Sequence, residues 1–318
     1  LQIVLISKKN NLKKIIGTIT DGDIRRSFIR GYNIKTNITE VLRKKYFFCS
    51  PASSTEKAFS IMKKKLIRHL PVLDNKNNLI GLHCLDFEEI KTKKNIFFIM
   101  AGGFGKRLMP YTKNIPKPML KLNGKPILYH IIKNAKDSGF NNFVISTHFK
   151  SDAIMDYFQN GKKFEINIKY IKEKEPLGTA GSIKYLQNKT NLPFVVTNGD
   201  MLTNLNYSDI LEFHIKNKSL CTMAFRNHNY ENPYGVVRIK NSKIYQIIEK
   251  PVSSSFINTG LYVFDPKICK HIPKRFINMD ELIEKLKNKK IYFNAFPLHE
   301  DWNDIGTKED YKIMIDNN

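Results

Sequence analysis

Gly102, Gly103 and Gly105 fall within four positions, and Lys106 and Arg107 follow directly. Glycine lets successive backbone N–H groups curl around and approach an anion, and the two cations bring charge to the same mouth. Such a loop is suited to gripping phosphate. Two familiar phosphate loops do not fit it. A P-loop needs Ser or Thr after its Gly-Lys pair, and Arg107 stands there. A dinucleotide fingerprint needs a third glycine where Leu108 stands. Far along the chain, Asp200 follows the apolar run Phe194-Val195-Val196 and Thr197. An aspartate just past a buried strand points over the strand's carboxyl edge, toward the glycine loop. A lone aspartate there is more often a turn residue, but after this strand it is favoured as a hard oxygen ligand for a divalent cation such as Mg²⁺ beside bound phosphates.

The elements that must position these groups are legible from periodicity. Residues 96–100 are five apolar residues in a row, as in a strand buried on both faces of a parallel sheet. Pro126 opens a helix with Ile127, Leu128, Ile131, Ile132 and Ala135 on one face, closed by Gly139. A second buried strand is expected over 143–146, then a helix capped by Ser151 and running through Met155 and Phe158. Later strands are expected over 194–197, 221–225, 234–239, 244–248 and 261–264. Strand alternating with helix at these spacings predicts a doubly wound, mostly parallel α/β sheet. Between them lies Leu177-Gly178-Thr179-Ala180-Gly181, a turn entering a helix. It offers backbone groups to a flat base, and a plain helix-entry turn would look the same.

At 318 residues the chain exceeds one typical domain and suggests two. The first, over 1–90, carries an internal repeat. Asn10-Asn11-Leu12 and Ile15-Ile16-Gly17 align with Asn77-Asn78-Leu79-Ile80-Gly81, each copy reading strand, polar turn, strand. Between the copies, residues 54–65 read as a helix with Ala58, Phe59, Met62 and Leu66 on one face, capped by Ser53 or Ser54. The polar run 91–95 reads as a linker, leaving 96–318 as the second domain. Net charge is +24, but the cations are scattered rather than striped, so no nucleic-acid partner is expected. Four isolated cysteines make no Cys-x-x-Cys pair, which argues against zinc or a disulfide framework. No apolar run approaches the roughly 20 residues that span a bilayer. With no charged leader at Leu1 either, the expectation is a cytoplasmic protein without a membrane partner.

The string Gly102 to Pro110, Thr112, Pro116-Lys117-Pro118 and Gly124-Lys125-Pro126 resembles the opening of the sugar-1-phosphate nucleotidyltransferases (sugar-nucleotide pyrophosphorylases). The likeness spans about residues 95–312. It implies a Rossmann-like mixed, mostly parallel sheet of the nucleotide-diphospho-sugar transferase type, and it implies roles for residues. Ala101, Gly102, Gly103, Gly105, Lys106 and Arg107 would hold the nucleotide phosphates, and Gly178 and Thr179 the base. Asp200 and Asp304, the latter in Trp302-Asn303-Asp304-Ile305-Gly306-Thr307, would be the two Mg²⁺ ligands. Tyr234, Gly235, Glu249, Asn258 and Thr259 would line the sugar pocket, with Lys250 toward the sugar phosphate. Trp302 reads as packing. The β-helical acyltransferase domain that some relatives carry is not expected here.

The first domain resembles a cystathionine-β-synthase-type (CBS) pair, a small α+β module, here lacking the helix expected before Leu1. In such modules Thr20 and Asp23 of Gly17-Thr18-Ile19-Thr20-Asp21-Gly22-Asp23 would face a ribose and phosphates. The second copy departs from that pattern, with Cys84 at the Thr position, Asp86 one residue early and Phe87 where the Asp belongs. An adenine-nucleotide sensor and a ligand-free docking or dimerisation module, the latter implying a homo-oligomer, both stand.

These roles imply one reaction. A sugar 1-phosphate oxygen attacks the α-phosphorus of a nucleoside triphosphate, and pyrophosphate leaves. The nucleophile is already an anion, so no general base is required of His148, His214 or His228. Catalysis would rest on positioning and charge, with Arg107, Lys117 and Lys250 as cations and Asp200 and Asp304 on the metal. The turn at 177–181 resembles guanylyl- and cytidylyl-transferring relatives. The fused CBS pair resembles enzymes of nonulosonic (legionaminic-type) acid pathways, so GTP with a glucosamine- or hexose-type 1-phosphate is expected. UTP or CTP, or a nucleotide sensor with a dead transferase domain, are the alternatives. A metal-dependent glycosyltransferase would want Asp-x-Asp, and Asn198 breaks that pattern.

Overall fold

The computed structural model describes residues 3–65, 67–84 and 92–316. The chain forms two compact units, Leu1–Ile90 and Lys91–Asn318. In the first, the repeat appears as two antiparallel hairpins, Ile3–Lys8 with Asn11–Thr20 and His69–Leu73 with Leu79–Cys84. Gly17 lies opposite Ile6 in one, and Gly81 opposite Val72 in the other. The helix Thr55–Lys65 buries Ala58 and Met62, the stripe its spacing predicted. Leu1, Leu66, Asp86 and Phe87 lie outside the described residues. Thr20 and Asp23 form a capping box at the start of the helix Asp21–Ile29. Asp23 Oδ2 accepts from the Thr20 hydroxyl at 2.6 Å, and its other oxygen takes Arg26 at 2.6 Å.

The second unit is built on a seven-stranded sheet. Its strands are β1 (Lys93–Met100), β2 (Phe140–Thr147), β3 (Asn167–Lys172), β4 (Phe194–Asn198), β5 (Cys221–Glu231), β6 (Val252–Phe264) and β7 (Phe293–Pro297). They lie in the order β7-β5-β6-β4-β1-β2-β3. β6 alone runs antiparallel to both of its neighbours, and the other adjacent pairs are parallel. Helices α1 (Ile127–Asp137), α2 (Ser151–Phe158), α3 (Tyr207–Lys216), α4 (Met279–Lys287) and α5 (Lys308–Asp316) complete the layers.

Alternate residues of β1 enter two separate cores. Phe97 and Ile99 pack with Ile127, Ile131 and Leu211, whereas Phe98 packs with Val144, Val196, Leu282 and Leu286. A strand covered on both faces has no polar side to show, which is why its stretch 96–100 is uniformly apolar.

Two expectations are corrected. The run 91–95 is not all linker, because Lys93–Asn95 belong to β1 and the Lys93 N–H donates to Gly139 O at 2.8 Å. Ladder bonds use the backbone, so polar side chains do not prevent a strand. Ser151 is the first residue of α2 rather than its cap; Lys150, at φ +48°, holds the cap position.

Candidate active site

β1 delivers the glycine loop. Its end is pinned by Ala101 N donating to Ser146 O at 2.8 Å. Gly105 sits at φ +63°, and a Cβ there would lie 3.0 Å from Thr112 Cγ2 and 3.2 Å from Lys117 Cβ. Only glycine closes the loop against both residues. The Thr112 hydroxyl donates to Gly105 O at 2.8 Å and locks that closure. Leu108 is buried and anchors the following turn, Lys106–Leu108, leaving Lys106 and Arg107 exposed at the mouth.

β4 delivers Asp200, as the sequence predicts, and a short ladder brings Asp304 to it. Met201–Thr203 pairs antiparallel with Trp302–Asp304, placing Met201 opposite Asp304, and Ile305 N donates to Asp200 O at 3.3 Å. The Lys117 ammonium bonds Asp200 Oδ2 and stands 4.0 Å from Asp304 Oδ1. A Cβ on Gly306 would lie 3.5 Å from Asp304 Oδ2 and 3.8 Å from Arg107 Nη1, so the guanidinium shares this corner. Burial and the Asp200 charge raise the Asp304 pKa above the ordinary carboxylate value, against the pull of Lys117 and Arg107. Asp200 Oδ1 is buried without a hydrogen-bond partner. Two mutually repelling carboxylates, one with an orphaned oxygen, suit a hard divalent cation.

Beside this corner opens a cavity of about 280 Å³, whose lining includes Thr179, Asn258, Thr259, Trp302 and Asp304. Trp302 Nε1 donates to Thr259 O at 3.0 Å, and the Thr259 hydroxyl donates to Ala224 O at 2.9 Å. Trp302 therefore packs, as expected, but as a cavity wall tied to the residue that lines it. A second, larger cavity of about 730 Å³ lies against the same ladder, walled by Trp302, Asn303 and Leu202.

The turn at 177–181 is docked onto the segment before α4. Gly178, at φ +73°, would place a Cβ 2.5 Å from Ile277 O. Thr179 Oγ1 accepts from Met279 N at 2.8 Å. Glu173 brackets this turn from the other side, and sequence reasoning gave it no role. Its buried carboxylate takes the Ser146 hydroxyl and the Leu177 N–H, the latter at 3.1 Å. The Glu173 oxygens lie 3.4 Å from where a Gly102 Cβ would be, so one side chain spaces the turn against the glycine loop. The only sequence signal was an acidic residue four positions before Leu177.

The structure does not bring Tyr234, Gly235, Glu249 or Lys250 into the cavity lining. β5 and β6 remain paired out to Glu231 and Val252, and the hairpin Val236–Lys240 with Lys243–Ile248 lies beyond that point. Asn258 lies six residue steps along the strand from Val252, roughly 20 Å of extended chain. Tyr234, Gly235, Glu249 and Lys250 are exposed at the base of this hairpin. Asn258 and Thr259, by contrast, lie just before β6 begins to pair with β4 and do line the cavity.

A glycine loop at one strand end and paired carboxylates at the next thus meet at one edge of an α/β sheet. The chain belongs to the nucleotidyl transferase family, whose pattern matches residues 96–316. A CBS domain pattern matches residues 38–82. The chain is similar to the mannose-1-phosphate guanyltransferase of Yarrowia lipolytica, 30% identical over 222 residues, which are 67% of this chain and 61% of that protein. The mannose-1-phosphate guanyltransferase of Hypocrea jecorina is 31% identical with the same shares. This chain thus spans less than two thirds of the length of these curated relatives.

Among solved structures, HddC from Yersinia pseudotuberculosis complexed with GMP-PN aligns with TM-score 0.54 and 28% identity, covering 70% of this chain and 99% of that one. The fold is shared with a glucose-1-phosphate thymidylyltransferase from Bacillus anthracis at 23% identity and TM-score 0.57, covering 70% and 94%.

Proposed function

We propose that the second unit transfers a nucleotidyl group from a nucleoside triphosphate to a sugar 1-phosphate, with GTP as donor. The acceptor is a glucosamine- or hexose-type 1-phosphate, and the product is a GDP-sugar for surface-glycan or nonulosonic (legionaminic-type) acid synthesis. The observation that carries the reading is the meeting of Lys117, Asp200 and Asp304 beside the closed glycine loop. The choice of GTP is supported by the guanyltransferase relatives and the solved neighbour complexed with GMP-PN.

In this reading the loop amides with Lys106 and Arg107 hold the triphosphate, and Arg107 balances charge on the departing pyrophosphate. The acceptor oxygen forms its bond to the α-phosphorus as the bond to the β-phosphate oxygen breaks, and no proton moves. Asp200 and Asp304 would hold Mg²⁺, which when bound supplies charge neutralisation to the triphosphate. Glu173 keeps the base-side turn at its distance from the loop, and Asn258 and Thr259 face the sugar.

The test is pyrophosphate release with Mg²⁺ across several nucleoside triphosphates and a panel of sugar 1-phosphates. Release with GTP and a hexose-type 1-phosphate is expected. Release with UTP or CTP would keep the reaction and discard the base. No release with any pair would favour the sensor.

A further inference from the structure

Lys117 is a buried cation in a region whose other basic residues, Lys106 and Arg107, face solvent. Its backbone is fixed, because the Lys117 Cβ packs against Gly105 and Pro116 and Pro118 flank it. Its ammonium occupies the space between Asp200 and Asp304, bonded to one and 4.0 Å from the other. A divalent ion held through these same two oxygens, Asp200 Oδ2 and Asp304 Oδ1, would need that same space. An ammonium and a divalent cation repel, and they compete for the same oxygen lone pairs. Lysine, unlike arginine, is a compact charge on a flexible four-carbon stem that can swing without moving its backbone.

We infer that Lys117 is a placeholder cation, occupying the divalent-ion position between Asp200 and Asp304 until a metal–triphosphate complex displaces it. The ammonium then passes to the incoming phosphates, so the carboxylates exchange one cation for another while lysine gains an anionic partner. This identity of the incoming anion rests on the proposed function. Two consequences follow. Bare metal binds weakly, because it must evict the ammonium and leave it without a partner. Metal and triphosphate bind with positive coupling, because together they supply both new partners.

The experiment uses the full chain and Mn²⁺, counted by electron paramagnetic resonance, with and without a non-hydrolysable GTP analogue. Without nucleotide, Lys117→Gln should bind Mn²⁺ about tenfold or more tighter than wild type, while Lys117→Arg stays weak. With nucleotide the order should reverse, because the glutamine variant has lost a phosphate partner. A purely structural lysine would weaken both measurements together. Bare Mn²⁺ affinity in Lys117→Gln equal to or below wild type overturns the inference.

Wild-type crystals provide a second measurement that does not depend on the variant folding. Soaked with Mn²⁺ alone they should keep the ammonium on Asp200; soaked with Mn²⁺ and the analogue they should show the ion there and the ammonium moved off. An ion between the carboxylates with Lys117 still on Asp200 also overturns it. Failure of the nucleotide to bind would sink the proposed function, while the bare-metal comparison still decides the role of Lys117.

Discussion

The proposed role of Asp304 comes with a cost in stability. Its pKa is raised in the folded protein by burial and by Asp200, so the folded state holds its proton more tightly than the unfolded chain does. Stability from this group is therefore present at low pH and is lost as pH rises through the interval between the unfolded and folded values. Asp304→Asn should raise the metal-free melting temperature at neutral pH while abolishing Mn²⁺ binding. A lower melting temperature would show that Lys117 and Arg107 outweigh the repulsion. Arg107 shares that corner, and removing one preorganised donor typically costs about 10²–10³ in turnover. Arg107→Ala is expected to lower kcat for pyrophosphate release by that factor, and an unchanged kcat would remove it from the site.

Elements act here by bracing one another. The turn at 177–181 has no freedom of its own, since Gly178 lies under the Ile277 carbonyl and Thr179 is bonded to the start of α4. Gly178→Ala forces both a left-handed alanine and a 2.5 Å contact, a strain of about 1–3 kcal/mol. The expected result is a KM for the triphosphate raised about tenfold with a smaller change in kcat, measured by steady-state kinetics. α3 is braced differently. Its His214 is buried, with Nδ1 2.9 Å from Thr222 Oγ1 on β5. Burial pushes the His214 pKa down to about 4, against a smaller opposing effect of Asp265. Its contribution is complete above the unfolded value and is lost as pH falls toward 4, about 2 kcal/mol by about pH 5. Between about pH 7 and pH 5 the wild type should lose more thermal stability than His214→Gln, and equal losses would show that the imidazole is protonated in place.

At the scale of the whole molecule, the chain joins a nucleotidyl transferase unit to one with a CBS domain. Adenine-nucleotide binding by the first unit is a proposal that its own geometry makes testable. Thr20 and Asp23 bond each other and cap a helix, while Arg26 holds the free oxygen of Asp23. A ligand using these groups must displace that network. Asp23→Ala should therefore destabilise the unit by about 1–2 kcal/mol even without nucleotide, as loss of a cap does. Calorimetry with adenine nucleotides on the wild type separates the sensor from the docking module, which should give no heat. Among the described residues no helix is long and apolar enough to cross a membrane.

Much of this was written in the sequence, where chemistry is carried by neighbours along the chain. The string from Gly102 to Pro126, the apolar runs at 96–100 and 194–196 and the helix stripes all express local rules, and the folded chain follows them. Asp200 was placed by the strand before it. Other features depend on residues that meet only in space. Asp304 reaches Asp200 because a three-residue ladder pairs segments about a hundred positions apart. Glu173 acquires its role by filling the gap between a turn and a loop, which no spacing encodes. The sugar-side expectations divide for the same reason: Asn258 and Thr259 lie just before β6 pairs with β4 and line the cavity, whereas Glu249 and Lys250 are exposed at the far end of the β5–β6 pairing. Motif order fixes which residues are available, but backbone pairing and burial decide which of them face one cavity.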